Sequence, residues 1–358
     1  MTPGRVLLRP GGPPPTVVNE RPLLAPRLAR GRRADELPGL LGALFTLCGH
    51  AHRHTAAGAV AAARGAAALP DAAQRQALRA ATARDQLLRL AYDGPRLLPG
   101  APVIDTADAL RGCPLFEPGP VTDQRLAALP AWLAQHWLGG TVGDWLQRWA
   151  DDPADWPLHW CHAVDTPPAR LLRSQADALR RLATPQAPLP LLEQPLATLP
   201  QLARRIAEQP DFCARPDWLG QPAETGPWTR INSRVRPRLH NGWMRLTARL
   251  VDLLQLAAPD GHDWLAEGAL PLARGEGIAW TEMARGLLVH HVQLDDAGCV
   301  RSAAVLAPTE WNFHPEGVLA RTLAALPEGD RAAQAARAAV AFDPCVEFVV
   351  ATPEPAHA

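Results

Sequence analysis

Leu37, Leu40, Leu41, Leu44, Phe45 and Cys48 recur at the three-and-four spacing of a helix that buries one face, which puts Cys48 on the buried stripe at the helix end. Gly49 then lets the backbone turn. Further helical periods run over 54–69 and over 71–92, the second opened by the start signal Pro70-Asp71. Short helical periods alternate with proline loops over 94–140. Leu171, Leu172, Ala176, Leu179 and Leu182 mark an amphipathic helix over 168–182, and Trp243, Leu246, Leu250, Leu253 and Leu254 mark another over 242–257. Two apolar runs, 287–294 and 299–307, joined by Asp295-Asp296-Ala297-Gly298, predict a β-hairpin between 286 and 307. Two short helices, over 316–326 and 329–341, lead to Asp343.

The pattern is therefore α+β and mostly helical, with no internal repeat. Residues 1–30, rich in Pro and Arg and without a sustained period, are expected to form an extended arm lying on a single domain over 31–358. The Pro-rich stretch 184–222 is expected to be a looser linker or insertion within that domain.

Composition narrows the function. The 358 residues suffice for a large core. Lysine is absent, and the 36 basic residues, all Arg, are balanced by 36 acidic ones, so the basic surplus of a nucleic-acid binder is missing. The 38 prolines fall between apolar runs and punctuate short helices. Six of the 12 tryptophans lie between 132 and 160, where they read as large packing units. Six scattered cysteines do not make a disulfide scaffold, and neither a signal-peptide core nor an eighteen-residue apolar span is present, so a reducing, cytoplasmic setting is expected. Phosphate loops, nucleophile elbows and HExxH zinc signatures are all missing.

The candidate chemistry sits at opposite ends of the chain. Asp343-Pro344-Cys345 places a thiol near the C-terminus, and Leu47-Cys48-Gly49-His50 offers a partner, provided the two ends meet in one pocket. His50, His52 and His54 follow the first thiol, and Glu347 follows the second; of the histidines only His50 and His54 share a helix face. Their structural readings are a buried core thiol for each cysteine, harder to hold for Cys345 in its Asp-Pro context, a solvated turn for the histidines and a surface carboxylate for Glu347. The pair Cys161-His162 is a second soft site on paper, but without a matching pair both residues read as packing, and Cys113, Cys213 and Cys299, without ligand-like neighbours, read as core or incidental.

Five segments, in order along the chain, resemble the large subunit of nickel-iron hydrogenases. Leu47-Cys48-Gly49 is similar to the first half of that family's CGxC motif. Glu224-Thr225-Gly226-Pro227 with Arg230 is similar to its ETGPLAR segment, and Glu282-Met283-Ala284-Arg285-Gly286 to its EAPRG segment. Pro308-Thr309-Glu310-Trp311-Asn312 resembles its P-S/T-T-W-N segment, and Phe342-Asp343-Pro344-Cys345 its DPCxxC end. In that family each CxxC pair gives one terminal nickel ligand and one thiolate bridging nickel to iron. Here the bridging positions are Ala51 and Phe348, the family's histidine after the first pair is replaced by Thr55, and the early R-x-E-G segment is not recognisable.

The resemblance implies a hydrogenase large-subunit-like fold that has lost its bimetallic site. Two thiolates can hold one metal ion or a preassembled fragment, but they cannot readily build a bridged pair of metals. Arg285 and Thr309 match positions that donate hydrogen bonds toward cyanide ligands in the large subunit, with Glu282 beside them. The chain resembles the HupK/HoxV group of accessory proteins more than it does a catalytic subunit. That resemblance implies a non-catalytic scaffold that transiently holds an iron-cyanide-carbonyl group, Fe(CN)2CO, through Cys48 and Cys345, with His50, His54 and Glu347 as possible additional ligands and no nickel. The expected partners are a hydrogenase maturation chaperone and the large-subunit precursor, with no nucleic acid or membrane. A degenerate redox subunit and an interaction protein with a vestigial metal site are the alternatives.

Overall fold

The computed structural model describes residues 4–66, 71–232 and 240–351. At its centre lies the helix Gly242–Ala257, all but one of whose residues are buried. It packs against the helices Ala72–Leu88, Pro167–Arg181 and Arg331–Phe342. Leu246, Leu250, Leu253 and Leu254 are each at most 2% exposed, and burying each contributes about 1.5–3 kcal/mol. That apolar burial helps offset the cost of holding Arg245 and Arg249, on the same helix, inside the protein.

A four-stranded antiparallel sheet in the order β3-β4-β5-β6 stands beside this bundle, with β3 at Glu267–Pro271, β4 at Glu276–Met283, β5 at Gly286–Leu294 and β6 at Val300–Leu306. Its two faces follow the period of two. Ile278, Trp280, Leu287 and Val289 join one apolar cluster with Leu199 and Leu202 of the helix Pro195–Glu208. Ala279, Met283, Leu288 and Val292 join another with Ala56, Ala59 and Val60 of the helix Gly49–Ala63. The expected hairpin is β5 and β6. The strands β3 and β4 were not expected; β4 is buried at every residue after Glu276, and a strand covered on both sides has no polar face to reveal it.

The N-terminal residues are more than an arm. β1 at Arg5–Leu8 pairs antiparallel with β2 at Val17–Asn19 and parallel with β7 at Glu347–Val350, matching Val6 to Phe348. This small sheet ties one end of the chain to the other. The stretch 184–222, for its part, contains the 14-residue helix Pro195–Glu208, whose Leu199, Leu202 and Ala203 are buried against the large sheet. Its prolines stand at the helix start and at Pro200, which hid the helical period.

The first cysteine helix begins earlier than its period suggests, at Gly49 rather than 54, and Cys48 occupies the N-cap position instead of the end of the preceding helix. Gly49 is required by close approach. A Cβ there would lie 2.3 Å from the carbonyl oxygen of Gly42, so the helices Leu37–Leu44 and Gly49–Ala63 meet backbone to backbone.

Candidate metal centre

Four of the five motif segments lock together through hydrogen bonds around one point. The Thr225 hydroxyl accepts from the Leu287 N–H at 2.9 Å. The Thr225 N–H donates to Asn312 Oδ1 at 2.9 Å, and Asn312 Nδ2 returns a bond to the Thr225 carbonyl at 2.8 Å and reaches that of Phe342 at 3.4 Å. Gly286 has φ +128, and a Cβ there would fall 2.8 Å from the Gly226 nitrogen, so only glycine lets the β4–β5 turn press against this segment. These bonds hold the Arg285 turn, the short helix Pro308–Asn312 that carries Thr309 and the end of the helix Arg331–Phe342 in fixed relation.

The second cysteine is placed by a backbone reversal. Asp343 closes the helix Arg331–Phe342 in the left-handed region (φ +53), a conformation that Asp tolerates better than most residues. Its buried carboxylate takes Arg249 at 2.8 Å, Arg89 at 2.9 Å and Arg285 at 3.6 Å. Burial opposes its charge, but the three guanidinium groups win and hold the Asp343 carboxyl below its ordinary range. The chain then passes through Pro344 to Cys345, whose sulfur accepts from the Thr309 hydroxyl at 3.0 Å while its N–H donates to the same oxygen at 3.2 Å.

Cys48 comes to the same place from the other end of the chain. It is buried, and burial first, then the nearby Cys345 sulfur, pushes its thiol up to about 12, against the pull of Arg285 and Arg21. Arg285 is buried as well, and its pKa is raised: burial works against the charge, but Asp343, Asp85, Cys48 and Cys345 together outweigh it. All six cysteines are free thiols. At neutral pH Cys48 is therefore a thiol, and any metal bound there would have to displace its proton. The expected result is that iodoacetamide leaves Cys48 of the metal-free protein unmodified at pH 7 to 8, as mass spectrometry of the alkylated peptides would report; rapid labelling there would contradict the burial assigned to it.

The remaining candidate residues lie elsewhere. Glu282 Oε1 pairs with Arg230 Nε at 3.0 Å, and its other oxygen accepts from the Ala266 N–H at 2.9 Å. Arg230 also ion-pairs with buried Asp252 and donates to the Met283 carbonyl at 2.9 Å, while Gln86 donates to the Ala284 carbonyl at 3.1 Å. Glu282 thus steadies the turn that carries Arg285 and does not face the thiols. His54 is engaged by Glu267 on β3 at 2.6 Å, and His50 lines, with it, a groove of about 550 Å³ between the helix Gly49–Ala63 and the sheet. Glu347 is exposed on β7 opposite Arg5. Among the described residues, no group of three or more His, Cys, Asp or Glu is placed to hold a metal ion, so none of these completes the thiol pair. Cys161 is buried and bonded to the Leu158 carbonyl, as the packing reading expected, whereas His162 is exposed and packs in no core.

Two features were missed in the sequence. His52 is stacked on Phe45 with ring centroids 3.8 Å apart, and its Nδ1 lies 3.0 Å from His290 Nε2, both rings being buried. Burial holds both histidines neutral, with His290 pushed down to about 3. The other feature is Arg21, which follows β2, pairs with Glu310 at 2.8 Å and has its charge sustained by Glu310, Cys345 and Cys48 against burial. Neither has a sequence spacing that would announce it, because their partners are 238 and 289 residues away.

A largely helical chain whose two ends meet at a thiol pair, with an arginine turn and a threonine helix closing over it, is the architecture of a nickel-iron hydrogenase large subunit. Solved structures agree on the fold. An NAD+-reducing [NiFe]-hydrogenase matches at TM-score 0.53 with 16% identity, covering 91% of both chains. A [NiFeSe] hydrogenase from Desulfovibrio vulgaris Hildenborough matches at TM-score 0.55 with 14% identity, covering 92% of this chain and 94% of the other. No family model matches.

Curated relatives make the assignment more specific. The hydrogenase expression/formation protein HoxV of Cupriavidus necator is 39% identical over 369 residues, covering 97% of this chain and 95% of its own. HupK of Bradyrhizobium diazoefficiens, also a hydrogenase expression/formation protein, is 33% identical over 93% of this chain and 91% of its own. The chain belongs to the HoxV/HupK family of hydrogenase expression/formation proteins. No described helix is long and apolar enough to cross a membrane.

Proposed function

We propose that this protein is a non-catalytic scaffold that holds an Fe(CN)2CO group during hydrogenase assembly and passes it on. The observation that carries the reading is the asymmetry of the site. Both terminal thiol positions are kept, with a hydroxyl on Cys345 and a guanidinium beside both sulfurs, while both bridging positions are given over to packing. Ala51 is buried in the helix Gly49–Ala63, and Phe348 is paired in β7. Soft thiolates suit a low-spin iron that already brings three strong-field ligands and asks few more of the protein. A cyanide nitrogen is an anionic acceptor, which Arg285 and the Thr309 hydroxyl are equipped to meet.

Two protein thiolates also suit a cargo that must leave. An acceptor offering four cysteines competes well against two, so the precursor of a hydrogenase large subunit is the fitting recipient, and a small maturation chaperone the fitting donor. Beside the Asp343-Pro344 turn a cavity of about 270 Å³ opens between Leu47, Leu97, Val346 and Phe348. Leu47 (56% exposed) and Leu97 (42% exposed) give that opening an apolar rim suited to transient docking.

Infrared spectroscopy tests the reading on full-length protein purified without oxygen from a host carrying the maturation machinery. Cyanide and carbonyl stretches together with zero hydrogen uptake or evolution are expected. Absence of those stretches in protein that contains iron, or hydrogen turnover with bound nickel, overturns the proposal; the latter outcome favours a redox subunit.

A further inference from the structure

We propose that Arg21, paired with Glu310 beside the two cysteines, is a third donor to the bound iron group alongside Arg285 and Thr309. This assignment rests on the scaffold reading above. Arg21 belongs to none of the five motif segments; it follows β2, where its N–H donates to Asn19 Oδ1 at 3.1 Å. Its guanidinium is bracketed by the groups that hold each cysteine. On one side Nη1 lies 2.8 Å from Glu310, the residue after Thr309, whose hydroxyl rests on Cys345. On the other side its central carbon stands 5.6 Å from the ring of Phe45, whose carbonyl accepts the Cys48 N–H at 3.1 Å.

The Arg21–Glu310 pair is not a closed structural salt bridge. Glu310 is buried, and its second oxygen, Oε2, has no hydrogen-bond partner among the described residues. Its contact engages one nitrogen of a group with five N–H donors. Burial opposes the charge on Arg21, but Glu310, Cys345 and Cys48 sustain it.

Charge explains why a second cation is needed. Ferrous iron with two cyanides and one carbonyl is neutral. When it binds, both thiols lose their protons to solvent, two Fe–S bonds form, the iron stays ferrous, and the assembled group carries two negative charges. Arg285 is already shared with Asp343 and Asp85, so it cannot balance that dianion alone. Arg21 brings a second guanidinium to the site; Glu310 engages one of its nitrogens, and its remaining N–H groups can meet a cyanide nitrogen. A plain dication bound by two thiolates leaves no net charge and has no such need.

The test compares the iron group with cadmium in the full-length protein. Arg21→Gln, the double variant Arg21→Gln with Glu310→Gln, and Arg21→Lys are produced with the maturation machinery for infrared measurement, and metal-free for titration with cadmium, read by the thiolate absorption band. Both Arg21→Gln proteins are expected to bind cadmium within about twofold of wild type while retaining at least about tenfold less iron group, with any residual cyanide stretches shifted; Arg21→Lys recovers part of the occupancy. The double variant leaves no buried unpaired carboxylate, so misfolding cannot imitate the result. Wild-type occupancy and unshifted stretches in the double variant overturn the assignment and leave the scaffold reading standing, whereas parallel loss of cadmium and iron reduces Arg21 to a structural prop and overturns it equally. Wild-type protein that binds cadmium but never shows the stretches ends the scaffold reading, and the Arg21 assignment falls with it.

Discussion

Cys48→Ala and Cys345→Ala proteins, each purified without oxygen from a host with the maturation machinery, are expected to lose the cyanide and carbonyl stretches below detection while unfolding within about 1 kcal/mol of wild type. The expectation follows from the proposed site offering only two protein ligands, Cys48 and Cys345. Among the described residues no third metal-binding side chain joins the pair, so removing either thiolate leaves the iron a single covalent anchor. Serine separates ligation from packing. At position 345 a serine oxygen can keep the contact with the Thr309 hydroxyl, now 3.0 Å from the sulfur, but it is a hard ligand poorly matched to low-spin iron. Cys345→Ser should therefore lose the stretches as completely as alanine does. Unchanged stretches in both alanine variants would show that the group is bound elsewhere or not by these thiols.

The parts of this molecule legible in sequence are those in which local pattern and tertiary role agree. The helix Gly242–Ala257 begins and ends where its apolar spacing says, because its leucines pack on three neighbouring helices and Asn241 caps its start. The helix Ala72–Leu88 likewise starts at an Asp71 that forms a full capping box with Gln74. The five motif segments placed Cys48, Cys345, Arg285 and Thr309 together before any coordinates did. What could not be read is what depends on distant partners. Glu282 was grouped with the donors because it is three residues from Arg285, yet an arginine 52 positions earlier, Arg230, claims its carboxylate and turns it away from the thiols. His54 shares a helix with the first thiol, but Glu267 on β3 captures it. Arg21, in a proline-rich stretch without any period, comes to Glu310 beside the thiols because β1 pairs with β7 and fixes the N-terminal hairpin against the other end of the chain.

The same long-range dependence makes Asp343 the residue whose loss should damage the fold most. It is fully enclosed, and three guanidinium groups, from Arg249, Arg89 and Arg285, converge on its carboxylate. Arg89 has a second carboxylate in Asp93 at 2.8 Å and Arg285 has Asp85 at 3.4 Å, but Arg249 has no other acidic partner among the described residues and is buried on the central helix. Asp343→Asn isolates the charge, because Asn accepts the left-handed backbone (φ +53) as readily as Asp. Leaving Arg249 buried without its anion should cost about 3–5 kcal/mol, read as a fall in the urea midpoint at unchanged slope. The pH dependence gives an independent check. Because the folded carboxyl is held below its unfolded value, its contribution is present above that unfolded value, near pH 4, and is lost as pH falls through the lower folded one. The wild-type protein should thus lose stability on acidification more steeply than the Asn variant, and the two should converge at low pH. A variant less than about 1 kcal/mol weaker at neutral pH, with an unchanged acid limb, would show that the arginines are balanced by other groups. The consequence for the site follows from the chain itself. Asp343 sets the backbone reversal that delivers Cys345 to the Thr309 hydroxyl and restrains Arg285 beside both sulfurs, so whatever fraction of the variant still folds should show displaced cyanide stretches even with both thiols intact.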